Sequence, residues 1–450
     1  MSLSARQANL GGQWIAICLL AWALAAGAAM ASVHEGVASC GGSTCHSRPV
    51  ASGLVVRQNE VITWQDPSSA AGSHSRAFRV LASARSIAIG QRLGIGSPQT
   101  AGLCLGCHAD PARERGPRFR VSDGVGCEAC HGGSSGWLAS HYTLGATHRI
   151  NVSRGLTPLD EPKIRAANCL DCHFGSAGQG QFVSHQIMAA GHPRLSFELD
   201  LFSSLQRHYD LTPAYAKRKR LPSGAQVWAV GQAMALQRSL TLYADPARGQ
   251  HGAFAEFYFY DCHSCHRAIS DDPAARPSVT PNPARPIATG TPPYNDENMI
   301  MLSAAARAGF PTLATRFETA SRAFHAALAI DRPTAVHAAA QLAEICGSLA
   351  DAFNAQPFTR AETFATLQAV TGDTSSARYT DYAGGAQAVM AVDTLMTALV
   401  SSGEIDRARA AAIRPEINRA YAAVKDPNSF RPADFQQSMR RVDIAVRGLR

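Results

Sequence analysis

Apolar positions recur every three to four residues over the last third of the chain. Val336, Leu342, Ile345, Leu349 and Phe353 form one such face, and Phe435, Met439, Val442, Val446 and Leu449, at spacings of 4, 3, 4 and 3, form another. The pattern predicts a helical bundle over residues 295–450, with Cys346 as a core thiol and His325 and His337 as ordinary helix residues. At the other end, an apolar run from Trp14 to Met30 follows Arg6 and closes on Ala29-Met30-Ala31, a small-residue cleavage pattern. Residues 1–31 therefore read as a signal peptide, with retention as an uncleaved membrane anchor as the competing reading. Between these ends the periodicity is short and broken, as in Ala77-Phe78-Val80-Leu81 after His74. Pro273, Pro277, Pro281, Pro283, Pro286, Pro292 and Pro293 mark a linker over 273–294. The middle region, 32–272, has to be held together by something other than long amphipathic elements.

Cysteine usage supplies that something. The chain of 450 residues has 12 Cys and 16 His, and ten of the cysteines fall in five clusters that each end in histidine. Four read CxxCH: Cys104-Leu-Gly-Cys107-His108, Cys127-Glu-Ala-Cys130-His131, Cys169-Leu-Asp-Cys172-His173 and Cys262-His-Ser-Cys265-His266. The fifth, Cys40-Gly-Gly-Ser-Thr-Cys45-His46, is a wider CxxxxCH whose small residues let a longer loop serve the same purpose. At this composition CxxCH is expected ~0.01 times by chance. Two thiols and an imidazole at this spacing suit thioether attachment of haem c, the His becoming the proximal iron ligand. Paired zinc sites would use the same residue types but would not need a His directly after every second Cys. The reading is five covalent haems c, with His46, His108, His131, His173 and His266 proximal. Only Cys18 and Cys346 are left over, so no disulfide framework is implied.

Five haems within residues 32–270 leave ~48 residues for each, too few for separate protein cores. The haems themselves would form the core of this region. The net charge of +8 is in part matched to haem propionates, and export argues against nucleic acid as a partner. Lys217-Arg218-Lys219-Arg220 reads first as a solvated loop and second as a docking patch for an acidic redox partner.

A second axial ligand separates a saturated electron-transfer haem from an open, reactive one. His185 and His192, about two turns apart across a helix that Gly191 ends, are the best pair of distal candidates, followed by His74 and His141. His208, His148 and His263 are weaker, and Met188 weaker still.

The passages Gly-Val-Gly-Cys127-Glu-Ala-Cys130-His131-Gly-Gly, Trp137-Leu138 with His141, and His185 through Gly191-His192-Pro193-Arg194-Leu195 resemble the multihaem cytochromes related to the tetrahaem electron acceptor of hydroxylamine oxidoreductase. The resemblance spans about residues 38–270. It implies a mainly helical fold, closely stacked haem pairs, mostly bis-His iron and a role in electron transfer, with His141, His185 and His192 as distal ligands and His74 a fainter match. The fifth cluster and the C-terminal bundle depart from the tetrahaem pattern.

The expectation is a mainly α protein: a pentahaem domain over 32–272 with little regular structure beyond helices, then an all-α bundle over 295–450. Its expected function is that of an exported, periplasmic electron carrier between redox proteins. The alternative is an oxidoreductase acting on a small nitrogen oxide or hydroxylamine at one five-coordinate haem. No CxxCK cluster is present, which weakens nitrite reduction in particular.

Overall fold

The structure is a computed structural model that describes residues 32–51, 56–252, 254–266, 285–288, 290–373 and 382–449. The expected signal peptide, 1–31, and most of the Pro-rich segment lie outside the described residues. Helix makes up 62% of the structure and strand 2%, so the fold is mainly α.

Residues 32–223 are short helices and turns around the Cys/His clusters. Large buried apolar side chains are sparse through residue 160, where Val37, Val61, Leu81 and Trp137 are the principal ones. Three strict clusters sit in short α-helices that end on their histidine, Gly102–His108, Cys127–His131 and Pro162–His173. A helix places residues i, i+3 and i+4 on one face, so Cys, Cys and His emerge together. Cys262–Ser264 does the same with a single 3₁₀ turn. The wider first cluster is folded as a loop: the Cys45 and Ser47 amides both donate to the Gly42 carbonyl, and the His46 amide donates to Cys40. The two extra residues are absorbed before Cys45.

Helix α1, Gly224–Ala244, is the hub. It is capped by the Ser223 hydroxyl, which accepts from the Gln226 amide, and is buried on almost every side. Against it stand α2 Glu297–Gly309, α3 Pro311–Ala327, α4 Arg332–Ala355, α5 Arg360–Gly372, α6 Tyr382–Ser401, α7 Arg407–Ala423 and α8 Pro432–Arg447. The face of α4 that carries Leu342, Cys346, Leu349 and Phe353 is buried, with Val336 and Ile345 packed at its edge. Phe435, Met439, Val442, Val446 and Leu449 are all buried, each worth about 1.5–3 kcal/mol of apolar transfer. Helix α6 is long and apolar enough to cross a membrane, but 72% of its apolar window is buried inside the bundle.

One apolar core runs from Phe182 and α1 through Tyr258 and Phe259 to Leu449, so it continues across the change in composition near residue 270. Arg238 of α1 ties the halves by polar contacts, donating at 2.7 Å to both Asp171 and the Gly175 carbonyl. The described end of the Pro-rich segment is also held in place: Tyr294 is fully buried and its hydroxyl is 2.6 Å from Ser239 Oγ.

Candidate functional site

Each cluster histidine faces one other histidine across a gap of nearly constant width. The ring centroids are 6.2 Å apart for His46 and His141, 6.0 Å for His173 and His74, 6.3 Å for His108 and His192, 6.1 Å for His131 and His208, and 6.0 Å for His266 and His185. Two metal–imidazole bonds of about 2.0 Å and the ring radii account for a separation of about 6 Å, so the gap fits one metal ion held axially by both rings. The rings meet in twos. Among the described residues no three His, Cys, Asp or Glu side chains converge on a metal position.

Hydrogen bonds orient the rings. The Nδ1 atom of His46 lies 2.9 Å from Glu60 Oε2, that of His108 is 2.8 Å from the Ala77 carbonyl, and that of His192 is 2.7 Å from the Pro193 carbonyl. His74 Nδ1 lies 3.1 Å from Gln206 Oε1, His208 Nδ1 is 2.9 Å from the Gln206 carbonyl, and His141 Nδ1 is 2.5 Å from the Leu138 carbonyl. With Nδ1 engaged, Nε2 is the nitrogen that would be available to a metal, the arrangement by which outer-shell acceptors fix a metal-binding imidazole. Burial holds His131 down at about 3, and burial with the neighbouring His74 holds His173 down at about 4. Both rings are neutral at pH 7, the form that binds metal.

The remaining histidines make other bonds. His148 uses Nε2 on Asp160 at 3.0 Å, His34 turns Nδ1 to Asp110, and His263 packs on Tyr382 with its centroid 4.9 Å away. His325 is buried with Nδ1 on the Ser321 carbonyl, and His337 is exposed on α4. His208, placed on the sequence among the weaker distal candidates, is the residue that faces His131. It follows the helix Leu199–Leu205 by three residues, and no spacing rule connects it to Cys127–His131.

The five clusters adjoin one another in a definite order. Cys40 and Cys127 are in side-chain contact, as are Cys107 and Cys172, and Cys130 lies near Cys169 and Cys172. The second and fifth clusters are joined through the helix His185–Ala189, which carries His185 at its start and leads into His192. Close backbone packing supports the second junction: a Cβ at Gly106 would come within 2.6 Å of the Gln179 and Gly180 backbone.

Glu128, inside the third cluster, fixes the first cluster against it. Its carboxylate is buried and accepts the amides of Glu35 at 2.8 Å, Gly36 at 2.6 Å and Ser134 at 2.7 Å. The basic run is partly used internally. Arg220 donates to Glu161 at 2.7 Å and to the Asn354 carbonyl, and Lys219 lies 5.4 Å over the Tyr215 ring. Lys217 and Arg218 are the exposed members.

Residues 40–132 match the family of cytochrome c554 and c-prime. The matched stretch holds the first three Cys/His clusters and supports a c-type cytochrome, with covalently bound haem c and a part in electron transport. The fourth and fifth clusters and the bundle lie beyond it. Comparison with the curated proteins and with the solved structures finds no match.

Proposed function

We propose that the protein is an exported electron carrier that binds five haems c. Cys40 and Cys45, Cys104 and Cys107, Cys127 and Cys130, Cys169 and Cys172, and Cys262 and Cys265 would attach them. The five facing histidine pairs would hold the irons: His46 with His141, His108 with His192, His131 with His208, His173 with His74 and His266 with His185. Those five pairs, 6.0–6.3 Å between centroids, are the observation that carries the reading. Haem bound in this way supplies one-electron exchange at iron, and two histidines per iron leave no coordination position for substrate. This favours a carrier over an oxidoreductase that works at an open haem.

The contacts between clusters give the order first, third, fourth, second, fifth. Cysteine pairs join the first three junctions and the His185–His192 segment joins the last. Electrons would pass along this order between redox proteins outside the inner membrane.

Mass spectrometry and electron paramagnetic resonance of the oxidised protein test the proposal together. The expected result is a mass gain of five haems with every iron low-spin. A high-spin signal that shifts with nitrite, hydroxylamine or nitric oxide would move the oxidoreductase reading ahead, and fewer than five haems would overturn the assignment of the clusters.

A further inference from the structure

The chain of histidine pairs has one chemically distinct end. Among the described ring contacts of the ten paired histidines, His46 alone meets a carboxylate, Glu60 Oε2 at 2.9 Å. The other Nδ1 acceptors are neutral: the carbonyls of Ala77, Leu138, Pro193 and Gln206 and the side-chain amide of Gln206. Glu60 is itself built in. It opens the helix Glu60–Gln65, and its second oxygen accepts the Gln58 amide at 3.1 Å. The His46 amide carbonyl in turn accepts the Val61 amide at 2.9 Å, so the helix start and the ligand loop are locked in register.

A carboxylate on the outer nitrogen of a metal-bound imidazole makes the ring a stronger donor and stabilises the higher oxidation state. The His46–His141 pair also stands at the head of the order described above, and Cys45, Tyr142 and Leu144 beside it are exposed. We infer that Glu60 is a positioning and tuning residue that makes the haem held by His46 and His141 the lowest-potential member of the set and so gives the chain a direction. An electron delivered at this end by a one-electron protein donor, which is oxidised by one electron as the chain is reduced by one, then moves to higher potential as it leaves the first site for the rest of the chain. This rests on the five-haem reading above.

Spectroelectrochemical titration of the haem-loaded full chain tests the inference. Glu60→Gln keeps an acceptor at His46 but removes its charge. It is expected to raise the lowest of the five potentials by a tenfold change in the one-electron equilibrium, ~59 mV, with the other four in place and all iron still low-spin. A shift at a middle or high potential, or no shift, overturns the inference. His141→Met locates the same site without touching Glu60, because a His/Met iron has a raised potential. The lowest potential should leave its place in the series, and its persistence would overturn the inference independently. A wild-type mass gain short of five haems would instead defeat the five-haem reading itself.

Discussion

Gln206 Oε1 lies 3.1 Å from His74 Nδ1, while the carbonyl of the same residue lies 2.9 Å from His208 Nδ1. One residue thus orients two histidines, facing the fourth and third clusters, through two different groups. Gln206→Ala removes the side-chain acceptor, together with the Nε2 donor to the Ala70 carbonyl at 3.0 Å, but keeps the backbone carbonyl, so it should alter the low-spin signal of the His74–His173 site and leave that of the His131–His208 site alone. Loss of the two side-chain hydrogen bonds should cost about 1 kcal/mol each. Electron paramagnetic resonance and chemical denaturation of the haem-loaded variant check the two parts, and equal changes at both sites would count against separate roles.

His208 and His148 offer the sharpest contrast among the histidines. His208 faces His131 at 6.1 Å, whereas His148 directs Nε2 at Asp160. His208→Ala is expected to open one iron, giving one high-spin signal and binding of nitric oxide or carbon monoxide. His148→Ala should leave the spectrum unchanged. Ligand-difference spectra of the two variants decide the point.

The difference between these two histidines is also where sequence reading stops. The four strict Cys/His clusters are visible in the sequence because their spacing is local, with i, i+3 and i+4 on one turn, and the first is visible as a two-residue extension of the same pattern. The face Phe435, Met439, Val442, Val446 and Leu449 is visible for the same reason, since helical period is a local property. His208 meets His131 across 77 positions, and Gln206 reaches His74 across 132. Such pairings depend on how short irregular segments pack, which no period encodes. Composition likewise suggests a division near residue 270, yet α1 belongs to the bundle core because it is apolar on nearly all sides and needs partners on all of them.

Glu128 holds the N-terminal segment onto the third cluster through three hydrogen bonds to its buried carboxylate. Its three accepted amides are charge-assisted, and its burial prevents water from replacing them. Glu128→Gln leaves the bulk intact but places an N–H donor where amides already point outward. We expect a loss of about 3 kcal/mol, measured as a lower denaturant midpoint of the haem-loaded protein. Disturbance should be confined to the signals of the first and third sites, which Cys40 and Cys127 bring together. A variant as stable as the wild type would show that other contacts hold the segment.

Glu198 makes stability depend on pH in a direction opposite to that of most carboxylates. It is buried beside Thr394 of α6, accepts the amides of Asp200 and Leu201, and has its pKa pushed up to about 7, mainly by burial and then by the nearby Asp200. In the unfolded chain the group ionises near the usual 4.5. The folded state therefore holds a proton that the unfolded state has lost, and its contribution is present in full below about pH 4.5 and is lost as pH rises through about 7. The size is on the order of 3 kcal/mol. Glu198→Gln cannot titrate, so the difference in unfolding free energy between wild type and variant should shift by that order between pH 4.5 and 8, with the wild type losing ground as pH rises. Denaturation of the haem-loaded proteins across this range measures it. Parallel pH profiles would mean that Glu198 stays ionised in the fold, held by its two amide donors against the cost of burial.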